Sequence, residues 1–172
     1  GAALNPLSDE IAVLSLNLLD SQAAQAQPLV DAYLAGKPLP DLQMAYIRKL
    51  IASNQLPNAR VQLVALTERS PNFADGWLLQ GSLQLQDRHL GDAETSLQHY
   101  LQLAGTDAPP PNNTQPGTAT ERSTVQALLM LAQIADEANR PAEAEAYLLR
   151  IDSPQDALRV QIRRALVAAR QG

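Results

Sequence analysis

The chain repeats itself, and that limits the folds open to it more than any single motif. The stretch "PNARVQLVALTERSP" at 57–71 aligns with "GDAETSLQHYLQLAG" at 91–105 after a shift of 34 residues, with Ala59 on Ala93, Leu63 on Leu97 and Pro71 on Gly105. A third segment, "PAEAEAYLLRIDSP" at 141–154, carries Ala142 and Pro154 at the spacing of Ala59 and Pro71. Ala93 and Ala142 are 49 residues apart, which exceeds 34 by 15 and assigns the excess to "APPPNNTQPGTATER" at 108–122. A period in the thirties means a stacked supersecondary unit that cannot bury its apolar face alone.

Each copy reads as two helices. Trp77, Leu78, Gly81 and Leu85 fall at helical spacings, a polar turn follows at 87–91, and Ala93, Leu97, Tyr100 and Leu101 share one face of a second helix. Small residues such as Gly81 and Ala93 permit two antiparallel helices to approach closely. Pro71 and Pro154 separate units, because proline cannot continue a helix interior. First helices are expected at 41–54, 123–138 and 156–170. At the N-terminus Ser8 reads as a cap for a helix carrying Ile11, Leu14 and Leu18, and a second segment leads to Gly36. Pro28 would cost about 3 kcal/mol inside a helix, so that segment either kinks there or starts near Gln27. The total is about nine helices, in an all-α chain.

These residues resemble the tetratricopeptide repeat family, whose unit is a helix–turn–helix of 34 residues. Trp77, Gly81, Ala93 and Leu97 match its pattern, with Pro71 closing the preceding unit, whereas Gln80 and Gln84 stand where the family has leucine and an aromatic residue. The resemblance implies an α-α superhelix, a right-handed solenoid. It divides the chain into a degenerate helix pair at 7–36, repeats at 40–73 and 74–107, the insertion at 108–122, a repeat at 123–156 and a half repeat at 157–172. That final orphan helix suggests that the natural protein continues, and predicts an apolar flank at the C-terminal end.

By the same resemblance a concave groove is lined by the first helix of each pair. Its places fall on Asp41, Met44, Arg48 and Ile51, then on Asp75, Leu78, Ser82, Leu85 and Gln86, and finally on Thr124, Ala127, Leu131 and Ile134. Met44, Leu78 and Ala127 occupy the places where a peptide-carboxylate clamp would need lysine. The expected ligand is therefore an apolar or helical segment of a partner protein. The alternative is a structural spacer that self-associates through its terminal repeats. The chain also looks similar to repeat arrays of proteobacterial envelope proteins and lipoproteins, which implies a periplasmic location, with the cytoplasm as the alternative.

Other chemistry is sparse. The net charge of −5 argues against nucleic acid, which needs a basic footprint. The longest apolar run, "ALLMLA" at 127–132, is far short of a membrane span. Without cysteine there are no thiolate metal sites, and His89 and His99 have the spacing of neither a zinc pair nor a catalytic dyad. No Gly-rich phosphate loop, GxSxG elbow or HExxH occurs. We therefore expect no catalytic residue, metal or cofactor. Asp92, Glu94, Glu143 and Glu145 read as helix-start acids that complement the helix dipole. Arg159, Arg163 and Arg170 lie near one helical face, either solvated or in contact with the missing next repeat or an acidic partner.

Overall fold

A computed structural model describes residues 9–18, 23–106, 119–151 and 156–169. Among them the chain is all α-helical: α1 (Asp9–Leu18), α2 (Ala23–Ala35), α3 (Pro40–Ala52), α4 (Leu56–Arg69), α5 (Ala74–Gln86), α6 (Leu90–Thr106), α7 (Ala119–Glu137), α8 (Pro141–Leu149) and α9 (Ala157–Ala169). They fall into two compact units, Gly1–Phe73 with α1 to α4 and Ala74–Gly172 with α5 to α9.

Three of the inter-helix turns are built the same way. Asn54, Arg88 and Asn139 are the non-glycine residues with positive φ among the described residues, at 59°, 66° and 58°. Each is the left-handed residue that ends a first helix. Its N–H donates three residues back, and the next N–H donates five residues back: Asn54 to Ile51 and Gln55 to Leu50, Arg88 to Leu85 and His89 to Gln84, Asn139 to Asp136 and Arg140 to Ala135. This is the Schellman arrangement, which satisfies the last carbonyls of a helix. The second helix starts at once, with the carbonyls of Gln55, His89 and Arg140 accepting from the N–H groups of Ala59, Ala93 and Ala144.

The turns fix the register of the second helices. Ala59, Ala93 and Ala144 are each 0% exposed, and the leucines four residues on, Leu63, Leu97 and Leu148, are buried with them. Ala142, matched to Ala59 and Ala93 by sequence, is exposed. The second and third hairpins are therefore offset by 51 residues, from Arg88 to Asn139, and the earlier offset is 34, from Asn54 to Arg88. The alternation "AEAEA" at 142–146 offers three alanines to an alignment, and only the turn geometry selects the middle one.

In the first unit α1 packs on α2 and α3, and α3 pairs with α4. Gln43, buried on α3, donates to the Gln62 carbonyl of α4 at 3.1 Å. Pro28 lies inside α2, which begins at Ala23, so of the two alternatives, a kink at Pro28 or a start near Gln27, the start near Gln27 does not hold. The described part of α1 begins at Asp9, and Ser8 lies outside the described residues.

In the second unit α5 pairs with α6 and α7 with α8; α7 also packs on α6 and α5, and α9 packs on α8. The α5–α6 pair closes to the point where a Cβ on Gly81 would lie 2.7 Å from Leu97 Cγ and 3.3 Å from the Ala93 carbonyl oxygen. Gln84 accepts the hydroxyl of buried Ser96 at 2.7 Å, so a polar pair spans α5 and α6. Ala93, Leu97 and Tyr100 on α6 meet Ala127, Leu131 and Ile134 on α7, with Trp77 and Leu78 packed against this cluster. Ala132, Leu148 and Val160 join α7, α8 and α9, and Ala135, Ala144 and Val167 do so again one turn on. The helix α7 begins at Ala119, inside the segment read as an insertion. The remainder of that segment up to residue 118, and Pro154, lie outside the described residues.

Candidate interaction surface

The helix α7 is packed along most of its circumference. One stripe (Ala127, Leu131, Ile134) faces α6, and Ala132 and Ala135 face α8 and α9. Beside these runs a row at helical spacing, Arg122, Gln126, Leu129, Met130 and Gln133, in which half-buried Met130 also packs on the α6–α7 cluster and half-buried Leu129 on the cluster that joins α7, α8 and α9. This row, with Val125, forms one side of a cleft of about 650 Å³ within the second unit. The other side is Asp156, Arg159 and Arg163, at and just before α9. A cleft of that size falls in the range used for ligand recognition.

Its chemistry is an apolar floor under a basic rim. Leu129 and Met130 supply hydrocarbon over buried Val125, Gln126 offers an amide, and the Gln133 amide donates to Glu137 at 2.9 Å. Arg159 Nη1 lies 3.2 Å from Asp156 Oδ1, which offsets one of the three arginines. Asp156 also accepts the Val160 N–H at its backbone carbonyl and so starts α9, leaving its carboxylate at the positive end of that helix. Arg122 and Arg163 make no ion pair with the described residues. The cleft thus carries an excess of positive charge in a chain of net charge −5.

The residues expected to line a groove divide into two sets. Met44, Ala127, Leu131 and Ile134 are 3%, 0%, 1% and 1% exposed, and are core residues with no surface to offer a ligand. Arg48, Asp75 and Gln86 are exposed, and Ile51, Leu78, Ser82, Leu85 and Thr124 are half-buried; Leu78 and Leu85 are also packed against the core of the second unit. Asp41 is exposed in the first turn of α3.

For α7 the misplacement comes from register. Carrying Asp75, Leu78 and Ser82 forward by the sequence-based 49 residues lands on Thr124, Ala127 and Leu131. Carrying them by the structural offset of 51, from Arg88 to Asn139, lands on Gln126, Leu129 and Gln133. All three line the cleft. A two-residue slip turns a helix by about 200°, enough to exchange an outer face for an inner one.

Other polar groups have structural partners. Trp77 is half-buried, with its ring centroid 4.4 Å from that of His99 and the planes tilted by 60°. Glu94 bridges to Arg140, and Glu145 to Arg164. In the first unit a second hollow of about 480 Å³ is bordered by Gln27, Asp31 and Tyr46, and the Gln27 amide donates to both of the others. Among the described residues no group of three or more His, Asp or Glu could hold a metal ion, and no helix is long and apolar enough to cross a membrane. Comparison with protein-family models and with curated proteins returns no match.

Proposed function

We propose that the chain is a non-enzymatic, tetratricopeptide-like interaction module that holds an extended segment of a partner protein in the cleft between α7 and α9. The observation that carries this reading is the outer row of α7, with apolar Leu129 and Met130 at its centre and Arg122, Arg159 and Arg163 around it. An apolar floor supplies affinity through a few desolvated anchors. Arginine forks on the rim select carboxylates, and they do so by geometry as well as charge. The ligand that fits is a peptide with one or two large apolar side chains flanked by Asp or Glu.

Selection from a random peptide-display library tests this directly. Enriched peptides should share an apolar anchor with neighbouring acids. Their affinity should fall about tenfold or more for Arg122→Glu and for Gln126→Asp, both exposed positions, and should stay unchanged for Ala142→Glu, an exposed site away from the cleft. Enrichment of basic peptides, or equal binding by all three variants, would refute the cleft as the site.

A further inference from the structure

The helix α9 turns more hydrocarbon outward than inward. Val160 and Val167 point into the second unit, whereas Leu158, Ile162 and Leu166 are 70%, 53% and 53% exposed. The exposed three stand at i, i+4 and i+8, so they form one continuous stripe over about 12 Å of helix. Ala165 and Ala169 lie beside them and are also exposed, leaving room for a second backbone to come close. Single exposed leucines need no explanation, but an ordered stripe on one face does.

The edges of the stripe decide what it fits. On one side run Arg159 and Arg163, the latter without an ion pair among the described residues. On the other side Arg164 is held by Glu145 at 2.8 Å. The stripe is therefore an apolar seam with a basic edge. A second copy of the chain docked antiparallel about a two-fold axis would bring Arg159 and Arg163 against their own equivalents on the same edge, which like charge disfavours. We infer that the outward face of α9 docks an amphipathic helix of a partner protein, with leucine-type side chains at i and i+4 and glutamates along one flank. Such a helix packs its ridge over Leu158, Ile162 and Leu166 and lays its acidic flank on Arg159 and Arg163. The seam uses none of the α7 row but shares Arg159 and Arg163 with the cleft rim, so Ile162 and Arg122 are the residues that tell the two sites apart.

The test uses the whole chain and two fluorescein-labelled synthetic helices of about five turns. They are identical in their leucine seam, with the flank all Glu in one and all Lys in the other. Fluorescence anisotropy should show the Glu helix binding at least about tenfold tighter than the Lys helix, with a steep loss at high salt. Ile162→Asp should weaken the Glu helix by about tenfold or more while leaving helix content by circular dichroism and cleft-peptide affinity unchanged. The double change Arg159→Glu with Arg163→Glu should reverse the preference between the helices, and Arg122→Glu should leave it intact. Equal affinity for the two helices, or indifference to Ile162→Asp, would overturn the inference. So would a dimer in sedimentation velocity that Ile162→Asp dissolves, because the occupant would then be a second copy. Loss of cleft-peptide binding with intact helix binding would count against the cleft alone.

Discussion

Arg140 grips Glu94 by two parallel hydrogen bonds, Nη1 to Oε1 at 3.0 Å and Nη2 to Oε2 at 2.7 Å. Glu94 stands in the opening turns of α6, and Arg140 immediately precedes α8. The bridge therefore ties successive hairpins across 46 residues of sequence. Arg140 also reaches Glu143 at 2.6 Å.

Both partners of that bridge are partly shielded, so its coupling should exceed that of an exposed pair. A double-mutant cycle with Glu94→Gln and Arg140→Gln should give about 1 kcal/mol of coupling in thermal or urea unfolding, reduced by high salt. The hydrogen bonds that Arg140 donates to Glu94 raise its pKa above the ordinary value, against an opposing desolvation. A raised cation pKa stabilises fully below the unfolded value and is lost only as pH rises through the folded one. For an arginine that loss lies above about pH 12, so its contribution should be flat across the neutral and mildly alkaline range.

The register of α8 is testable with two leucines. Ala144→Leu should destabilise by about 1–3 kcal/mol or more, because a fully buried methyl site on α8, packed against α7 and α9, is overfilled. Ala142→Leu, at an exposed site, should change stability by less than about 0.5 kcal/mol. The opposite ranking would restore the 49-residue spacing.

The helical class and the pairing of α3 with α4 and α5 with α6 were legible because apolar periodicity is strong there and the 34-residue shift has no competitor. Gly81 signalled close helix approach in the sequence, and a Cβ there would come within 2.7 Å of Leu97 Cγ, which shows why. The cleft was not legible. Its location depended on the offset across residues 107–118, and the alternating alanines of 142–146 admit more than one alignment. The signal that resolves it, a left-handed residue at Asn54, Arg88 and Asn139, is a backbone property that asparagine announces weakly and arginine not at all. Nor does any local pattern foretell the bridge between Glu94 and Arg140, which requires two hairpins to be stacked first.

Gly81→Val should lower stability by about 1–3 kcal/mol, since its branched side chain would enter space held by Leu97 and the Ala93 carbonyl. Adding Leu97→Ala should recover part of that loss in the same unfolding assay. Simple additivity of the two changes would mean that they do not share that space.

Tyr33 sets an alkaline limit on the first unit. Its hydroxyl donates to Asp9 at 2.6 Å and accepts the Leu39 N–H at 3.0 Å. Burial chiefly, and the Asp9 hydrogen bond next, raise its pKa. A raised folded-state pKa favours the protonated phenol, so this stabilisation is complete below the unfolded pKa of about 10 and is lost as pH climbs through the higher folded value. Tyr33→Phe should cost about 1–2 kcal/mol near neutrality and should flatten the decline in stability above about pH 10, as read by pH-dependent urea unfolding.

One hairpin used three times, offset by 34 and then by 51 residues, is what puts Gln126, Leu129 and Gln133 on the outer face of α7. The decisive measurement is solution NMR of the backbone at its three turns, with φ from HN–Hα couplings and chemical shifts and protection from amide hydrogen exchange. Asn54, Arg88 and Asn139 should all show positive φ, and the N–H groups of Gln55, His89 and Arg140 should be protected by their bonds five residues back. A negative φ at Asn139, with the turn moved by two residues, would contradict the shared register and remove the α7 row from the cleft.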